Sequence, residues 1–258
     1  MLTNFPGMIE RCADYGFDLV HDRVEVSPSA HFQMGGITID TECRSSLDGL
    51  FAAGEDAGGV HGANRLGGNG VADSIVFGGV AGDSMTDYVT SRELPAISAA
   101  QVRALSDHWA RPLTDTQGEK PFGLRKELED VMWDKVGVVR NGADLESGLD
   151  TLAVLRERAS LAGASGPAAS NPAWNALMDV TNLCDIGQMV AQSALIRTES
   201  RGAHYRLDYA TPDPSWLKNI FLTPNSEGMD VHFEPVQFTR LTPPPEHLGA
   251  PAHGNDIR

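Results

Sequence analysis

Basic residues are scarce in this chain: 20 Lys and Arg stand against 35 Asp and Glu, a formal net charge of -15. A field of that sign repels phosphate backbones and anionic lipid, which argues against nucleic acid as a partner. An anionic substrate must then be gathered by local arginines or helix ends. Cysteine is equally sparse. Cys12, Cys43 and Cys184 are odd in number, far apart and without metal-ligand spacing, so the sequence predicts reduced structural thiols, no disulfide framework and no metal site. Long apolar runs are missing too. The stretch 74–82 is far too short to cross a bilayer, and no basic segment followed by an apolar one opens the chain, so the expectation is a cytoplasmic chain without direct membrane insertion. His21, His108, His232, His247 and His253 match no ligand spacing and are assigned to surface or core packing.

What is present is enough apolar material for a sizeable core: 41% hydrophobic residues over 258 positions, one large domain or two modest ones. Residues 1–90 are rich in glycine, whereas 98–206 carry more charge and apolar residues at three- and four-residue spacing, so a boundary is placed near Pro95. Short strands are predicted at 24–26, 36–40 and 49–53. A helix is predicted from near Asn69 to Val89, although Gly70, Gly78, Gly79 and Gly82 should each cost up to about 1 kcal/mol there. Close approach of another backbone or a flat ligand is the expected reason. Further helices are predicted over 99–112, 123–139, 144–162 and 172–197, packed as a small bundle, with an exposed turn at 163–171. A short strand at 231–236 and a poorly ordered tail from Pro243 complete the expectation.

Three segments carry possible chemistry. His31-Phe32-Gln33-Met34-Gly35-Gly36 sets an imidazole beside two glycines, which suits a ligand approached closely by backbone and equally suits a core histidine near a tight turn. Gly49-Leu50-Phe51-Ala52-Ala53-Gly54-Glu55 reads as a buried strand ending in an acid. Such a carboxylate accepts hydrogen bonds from ligand hydroxyls in dinucleotide sites, or is merely solvated. His61-Gly62-Ala63-Asn64-Arg65-Leu66-Gly67-Gly68-Asn69-Gly70 is a glycine-rich loop entering a helix. Its free N–H groups favour an anionic group, and Arg65 is able to grip a carboxylate with two parallel bonds; alternatively the loop only turns the chain.

Taken together and in order, these segments, with S-I-V-F-G-G-V-A-G at 74–82, closely resemble the signature run of the succinate dehydrogenase, fumarate reductase and L-aspartate oxidase flavoproteins. Arg197-Thr198-Glu199-Ser200-Arg201-Gly202-Ala203-His204-Tyr205-Arg206 with Asp208 resembles that family's R-T-E-S-R-G-A-H-x-R-x-D stretch, and the likeness runs from Phe5 to about Pro245. The resemblance implies an α/β plus α fold: the remnant of an FAD-binding domain over 1–95, a helical bundle over 96–210 and an irregular extension over 211–258. It implies an oxidoreductase of electron transport and the tricarboxylic acid cycle that interconverts succinate and fumarate by hydride transfer to or from FAD. By position, His31 and Arg65 are expected to bind the dicarboxylate, Glu55 to bind FAD, and Gly70 and Val71 to meet the flavin through backbone groups.

The resemblance also implies what this sequence does not carry. The family's G-x-G-x-x-G unit and its capping domain, with the proton-transferring arginine, are expected upstream, so no catalytic residue is assigned in this chain and the chain alone is expected to be inactive. An iron-sulfur subunit is the expected electron partner, with peripheral placement at the inner face of a membrane through partner subunits. Asn69-Gly70-Val71 and Phe77-Gly78-Gly79 depart from the family's N-S-L and F-G-R, which leaves flavin potential and substrate preference open. A relative acting on another dicarboxylate such as aspartate, and a truncated docking module for the iron-sulfur subunit that binds no flavin, are the alternatives. The cluster of Arg197, Glu199, Arg201 and His204 is read either as a border of the flavin or the iron-sulfur partner, or as a buried salt-bridge knot.

Overall fold

A computed structural model of the chain describes residues 4–27, 30–93, 95–226 and 228–243. They fall into two units, one ending at His31 and one beginning at Phe32. The first holds helix α1 (Pro6–Asp14), opened by a proline whose fixed φ suits the first turn. No residue of α1 is buried. Beyond it the Asp18 carboxylate takes the N–H groups of Val20 and His21 and closes a turn. Residues 24–26 are irregular, not the expected strand.

In the second unit, the expected strands at 36–40 and 49–53 reduce to single bridges, Ile37 with Ala57, Ile39 with Ser45 and Arg44 with Phe51. The backbone explains why no ladder grows. Cys43 at φ 60° and Gly49 at φ 82° turn the chain every few residues, and Gly36 lies so close to the Asp56–Ala57 backbone that any Cβ there would overlap it. Helix α2 (Asn69–Thr90) then runs for 22 residues, with its start where the sequence predicts it. Close approach accounts for only one of its glycines: a Cβ on Gly70 would stand 3.0 Å from the Phe32 ring, whereas the described residues leave open space over Gly78, Gly79 and Gly82. The burial of α2 is inverted. Asp73, Ala81 and Ser84 are its buried residues, while Val71 and Ile75 are each 70% exposed.

Helices α3 (Ala99–Thr114), α4 (Pro121–Asp134), α5 (Gly142–Leu161) and α6 (Pro172–Ile196) follow. Their spacing was legible because each carries apolar residues at three- and four-residue intervals. Asn141 and Asn171 cap α5 and α6 by accepting the N–H of Asp144 and Trp174, each at 3.0 Å. Leu124, Leu128, Leu145, Leu152, Leu155, Val180 and Cys184 form the core between α4, α5 and α6. Gly187 of α6 permits this packing, since a side chain there would press on Leu152 and Met132. Helix α4 stops at Asp134, short of the expected 139, and beyond it Gly137 passes so close to the Trp133 carbonyl that any Cβ there would overlap it. The turn at 163–171 is exposed only in its middle: Gly163, Ala164 and Asn171 are buried, and the N–H of Ala164 donates to Pro112 O at 2.8 Å.

The expected strand at 231–236 is β2 (Gly228–Pro235), paired antiparallel with β1 (Lys218–Asn225), which the sequence did not announce. Among the described residues the fold is thus six α-helices and one two-stranded sheet, a mixed architecture with a helical bundle in its C-terminal part. The expected tail beyond Pro243 lies outside the described residues.

Candidate functional site

The glycine-rich loop delivers its side chains to the start of α2. Gly68, at φ 83°, forms the N-cap and offers no side-chain acceptor to the first N–H groups of the helix, and nothing stands within 4 Å of where a Cβ on Gly67 or Gly68 would be. An uncapped helix start with open space above it attracts electron-rich or anionic groups. Arg65 is fixed beside this opening. Its guanidinium lies over the Phe32 ring at 4.5 Å, its Nη1 donates to Leu66 O at 3.1 Å, and its buried Nε has no acceptor among the described residues. A buried donor left unpaired is costly, so a bound group or water is needed there.

Phe32 and Gln33 tie the separate motifs together. Phe32 packs against Arg65 and Gly70, and the N–H of Gln33 donates to Glu55 Oε1 at 2.8 Å. Gly54, at φ 79°, lets the Glu55 turn press against Ser74 of α2, with a Cβ position 2.9 Å from Ser74 Oγ. Arg65, Glu55 and Gly70 are therefore gathered around Phe32-Gln33, and Val71 stands exposed on the first turn of α2. His31 is exposed at the end of the first unit. Sequence reasoning passed over Phe32, His61 and Asp73. All lie inside or beside the motifs, but their contacts join segments distant in the chain.

The Arg197–Asp208 cluster is a buried network. Glu199 is fully buried and accepts from Arg197 Nη1 at 2.7 Å, Arg201 Nε at 2.9 Å and the Asp213 N–H at 2.8 Å. Burial works to raise its carboxyl, and the donors from Arg201, Asp213 and Arg197 outweigh it, leaving the group below its usual value. Arg206, 2% exposed, joins Asp208 at 2.6 Å and donates to the carbonyls of Ala194 and Leu195 at the end of α6. These bonds close the helix. Asp208 is held down at about 2, chiefly by Arg206.

The network holds a turn against the arginine loop. Arg201 and His204 exchange backbone hydrogen bonds of 2.8 and 3.0 Å around Gly202 at φ 59°, the positive first position of a type II′ turn. At its tip the Ala203 N–H donates to Ala63 O at 2.9 Å, two residues before Arg65.

His204, packed behind the turn, accepts from Arg140 at 3.0 Å, and its Nε2 faces Arg197 O at 3.2 Å. Burial first, then the nearby arginines, push its imidazole down to about 4, against the pull of the Arg197 carbonyl. The folded value lies below the unfolded one near 6.5, so the unfolded chain binds more protons between them. Stability is complete above about pH 6.5 and is lost as the pH falls through about 4, an effect of about 3 kcal/mol. Denaturation midpoints of the purified chain should fall from pH 7 towards pH 4.5, and His204→Gln should flatten that segment of the curve.

The model described as fumarate reductase flavoprotein C-term matches residues 125–248, and the model described as FAD binding domain matches 1–71. The fumarate reductase flavoprotein subunit of Haemophilus influenzae is 33% identical over 259 residues, covering 97% of this chain and 43% of its own length. L-aspartate oxidase of Synechocystis sp. is 33% identical over 256 residues, covering 90% and 43%. Among solved structures, a chain of the Mycobacterium smegmatis Sdh1 complex in the apo form superimposes with a TM-score of 0.82 at 33% identity, covering 93% of this chain and 42% of that one. The chain spans about two fifths of the length of the curated relatives it matches, 43% in both of these cases.

Proposed function

The chain belongs to the succinate dehydrogenase and fumarate reductase flavoprotein family, whose cofactor is FAD, and we propose that it supplies one wall of an active site interconverting succinate and fumarate. The observation that carries this reading is the uncapped start of α2, bare above Gly67 and Gly68, with Arg65 locked beside it on Phe32. These residues suit the cofactor. The N–H groups at Gly70 and Val71 would hold the flavin and stabilise negative charge on it, and the exposed Glu55 carboxylate would accept from ribose hydroxyls. FAD, when bound, is the donor or acceptor of the hydride exchanged with the dicarboxylate. Arg65 grips one carboxylate of that substrate with parallel N–H bonds, which orients the reacting carbon; His31, in the first unit, is kept as a candidate dicarboxylate ligand on the resemblance alone.

The outward-facing Val71 and Ile75 supply the complementary argument, since a largely apolar helix exposed along its length is a surface for covering. The covering polypeptide in this reading carries the pyrophosphate-gripping unit, the capping domain and the proton-transferring arginine. An iron-sulfur subunit exchanges the electrons. No helix among the described residues is long and apolar enough to cross a membrane, and the assembly sits peripherally through its partners.

The test is complementation. The purified chain, incubated with FAD and passed over a sizing column, is expected to retain no flavin absorbance; co-produced with the polypeptide that holds the remainder of the family's architecture, it is expected to carry one FAD and reduce fumarate. Stoichiometric flavin on the chain alone, or a complex with flavin but no dicarboxylate turnover, overturns the reading. The likeness to L-aspartate oxidase supports a second reading, with aspartate as the substrate. Comparing kcat/KM for succinate and aspartate in the same complex decides between them.

A further inference from the structure

Asp73 is one of three buried residues of α2, and it lies beyond the first turn, too far along to cap the helix. Its side chain is 2% exposed and that of His61 is 8% exposed; Nε2 of His61 meets Asp73 Oδ2 at 3.1 Å, while Asp73 Oδ1 has no partner among the described residues. A buried carboxylate so incompletely satisfied costs more than an apolar residue of similar size, so its place calls for a role. The contact joins the beginning of the glycine-rich loop, at His61, to the helix into which the loop runs. It therefore clamps both ends of the segment that carries Arg65.

The clamp reaches Arg65 through one ring. The rings of His61 and Phe32 meet nearly at right angles, with centroids 5.2 Å apart and planes at 79°, and Phe32 also carries the Arg65 guanidinium at 4.5 Å from its ring centroid. Gly70 closes the remaining side, its Cβ position 3.0 Å from Phe32 Cε2. The orientation of His61 thus sets the plane of Phe32, and that plane sets where the guanidinium lies.

We infer that Asp73 and His61 are positioning residues that aim Arg65 through Phe32. The inference rests on the reading of Arg65 as a carboxylate ligand. Neither residue touches substrate in this scheme. Their contribution is to keep the fork geometry of Arg65 fixed before the dicarboxylate arrives, so their loss weakens substrate binding and leaves flavin content unchanged.

The test uses the assembled flavoprotein, with fumarate as the varied substrate. Asp73→Asn and His61→Gln keep volume and remove the carboxylate–imidazole contact; each is expected to raise KM by about tenfold with a much smaller change in kcat and unchanged flavin absorbance. Adding Asp73→Asn to Arg65→Ala is expected to raise KM no further, because both act on one contact. Full additivity, or loss of flavin at unchanged KM, overturns the positioning role and assigns Asp73 to packing. Should Asp73→Asn fail to accumulate, Phe32→Leu leaves the buried pair intact and is expected to raise KM alike; an unchanged KM overturns the inference. An Arg65→Ala enzyme with ordinary KM instead removes the reading on which it rests, which separates the two failures.

Discussion

Gly202→Val is expected to destabilise the protein by about 3–5 kcal/mol and to abolish fumarate turnover in the assembled flavoprotein. Two independent costs combine. The φ of 59° is one that a β-branched side chain rarely adopts. A Cβ there would also overlap the Ala63 carbonyl, with the carbonyl carbon only 2.6 Å away, and that partner is backbone and cannot rotate aside. Relief requires the turn to leave the loop, which breaks the bond from the Ala203 N–H to Ala63 O and frees the segment that carries Arg65. The turn itself cannot retreat easily, because Glu199, Arg201 and His204 anchor it from behind. Urea denaturation of the variant beside Gly123→Ala, a glycine with open space around it, is the measurement. A midpoint for Gly202→Val equal to that of the control would show that the loop and the turn do not support each other.

That contact shows where the sequence stops being legible. Helices α2 to α6 were readable because a helix closes its hydrogen bonds locally, and apolar spacing such as that of the leucines of α5 announces it within one stretch of chain. The segments at 36–40 and 49–53 have strand-like composition, yet strands need partners, and single bridges are what the described residues provide. Strand β1 escaped notice because Asn219 and Pro224 interrupt its apolar pattern, and its pairing with β2 is a matter of register. In the candidate site, Arg65, Glu55 and Gly70 were marked by motif. Phe32, the ring on which they converge, looked like one more apolar residue beside glycines. The expectation that every glycine of α2 answers a close neighbour met the structure at Gly70 alone. Gly78, Gly79 and Gly82 face space that other polypeptide or a flat ligand would fill, in keeping with the outward Val71 and Ile75.

Arg65 carries the second large effect, and the argument for it begins from charge. A chain at -15 repels a dianion at long range, so association depends on short-range cationic groups already in place. Arg65 meets that condition better than a flexible surface arginine, since Phe32 holds its plane and the Leu66 carbonyl holds one nitrogen before any ligand arrives. Removal of the side chain therefore takes away both the charge and its preorganisation. Arg65→Ala in the assembled flavoprotein is expected to lower kcat/KM for fumarate by about a hundredfold to a thousandfold, the worth of about 3–4 kcal/mol of paired charge-assisted bonds. Arg65→Lys restores charge without the planar fork, so it should recover only a small part of that loss. Flavin content is expected to stay constant in both variants, because the helix start proposed to meet the cofactor offers backbone groups, which neither substitution alters. A lysine enzyme equal to wild type would mean that charge alone suffices and that the stacking on Phe32 has no bearing on recognition; an alanine enzyme equal to wild type would remove Arg65 from the substrate site altogether.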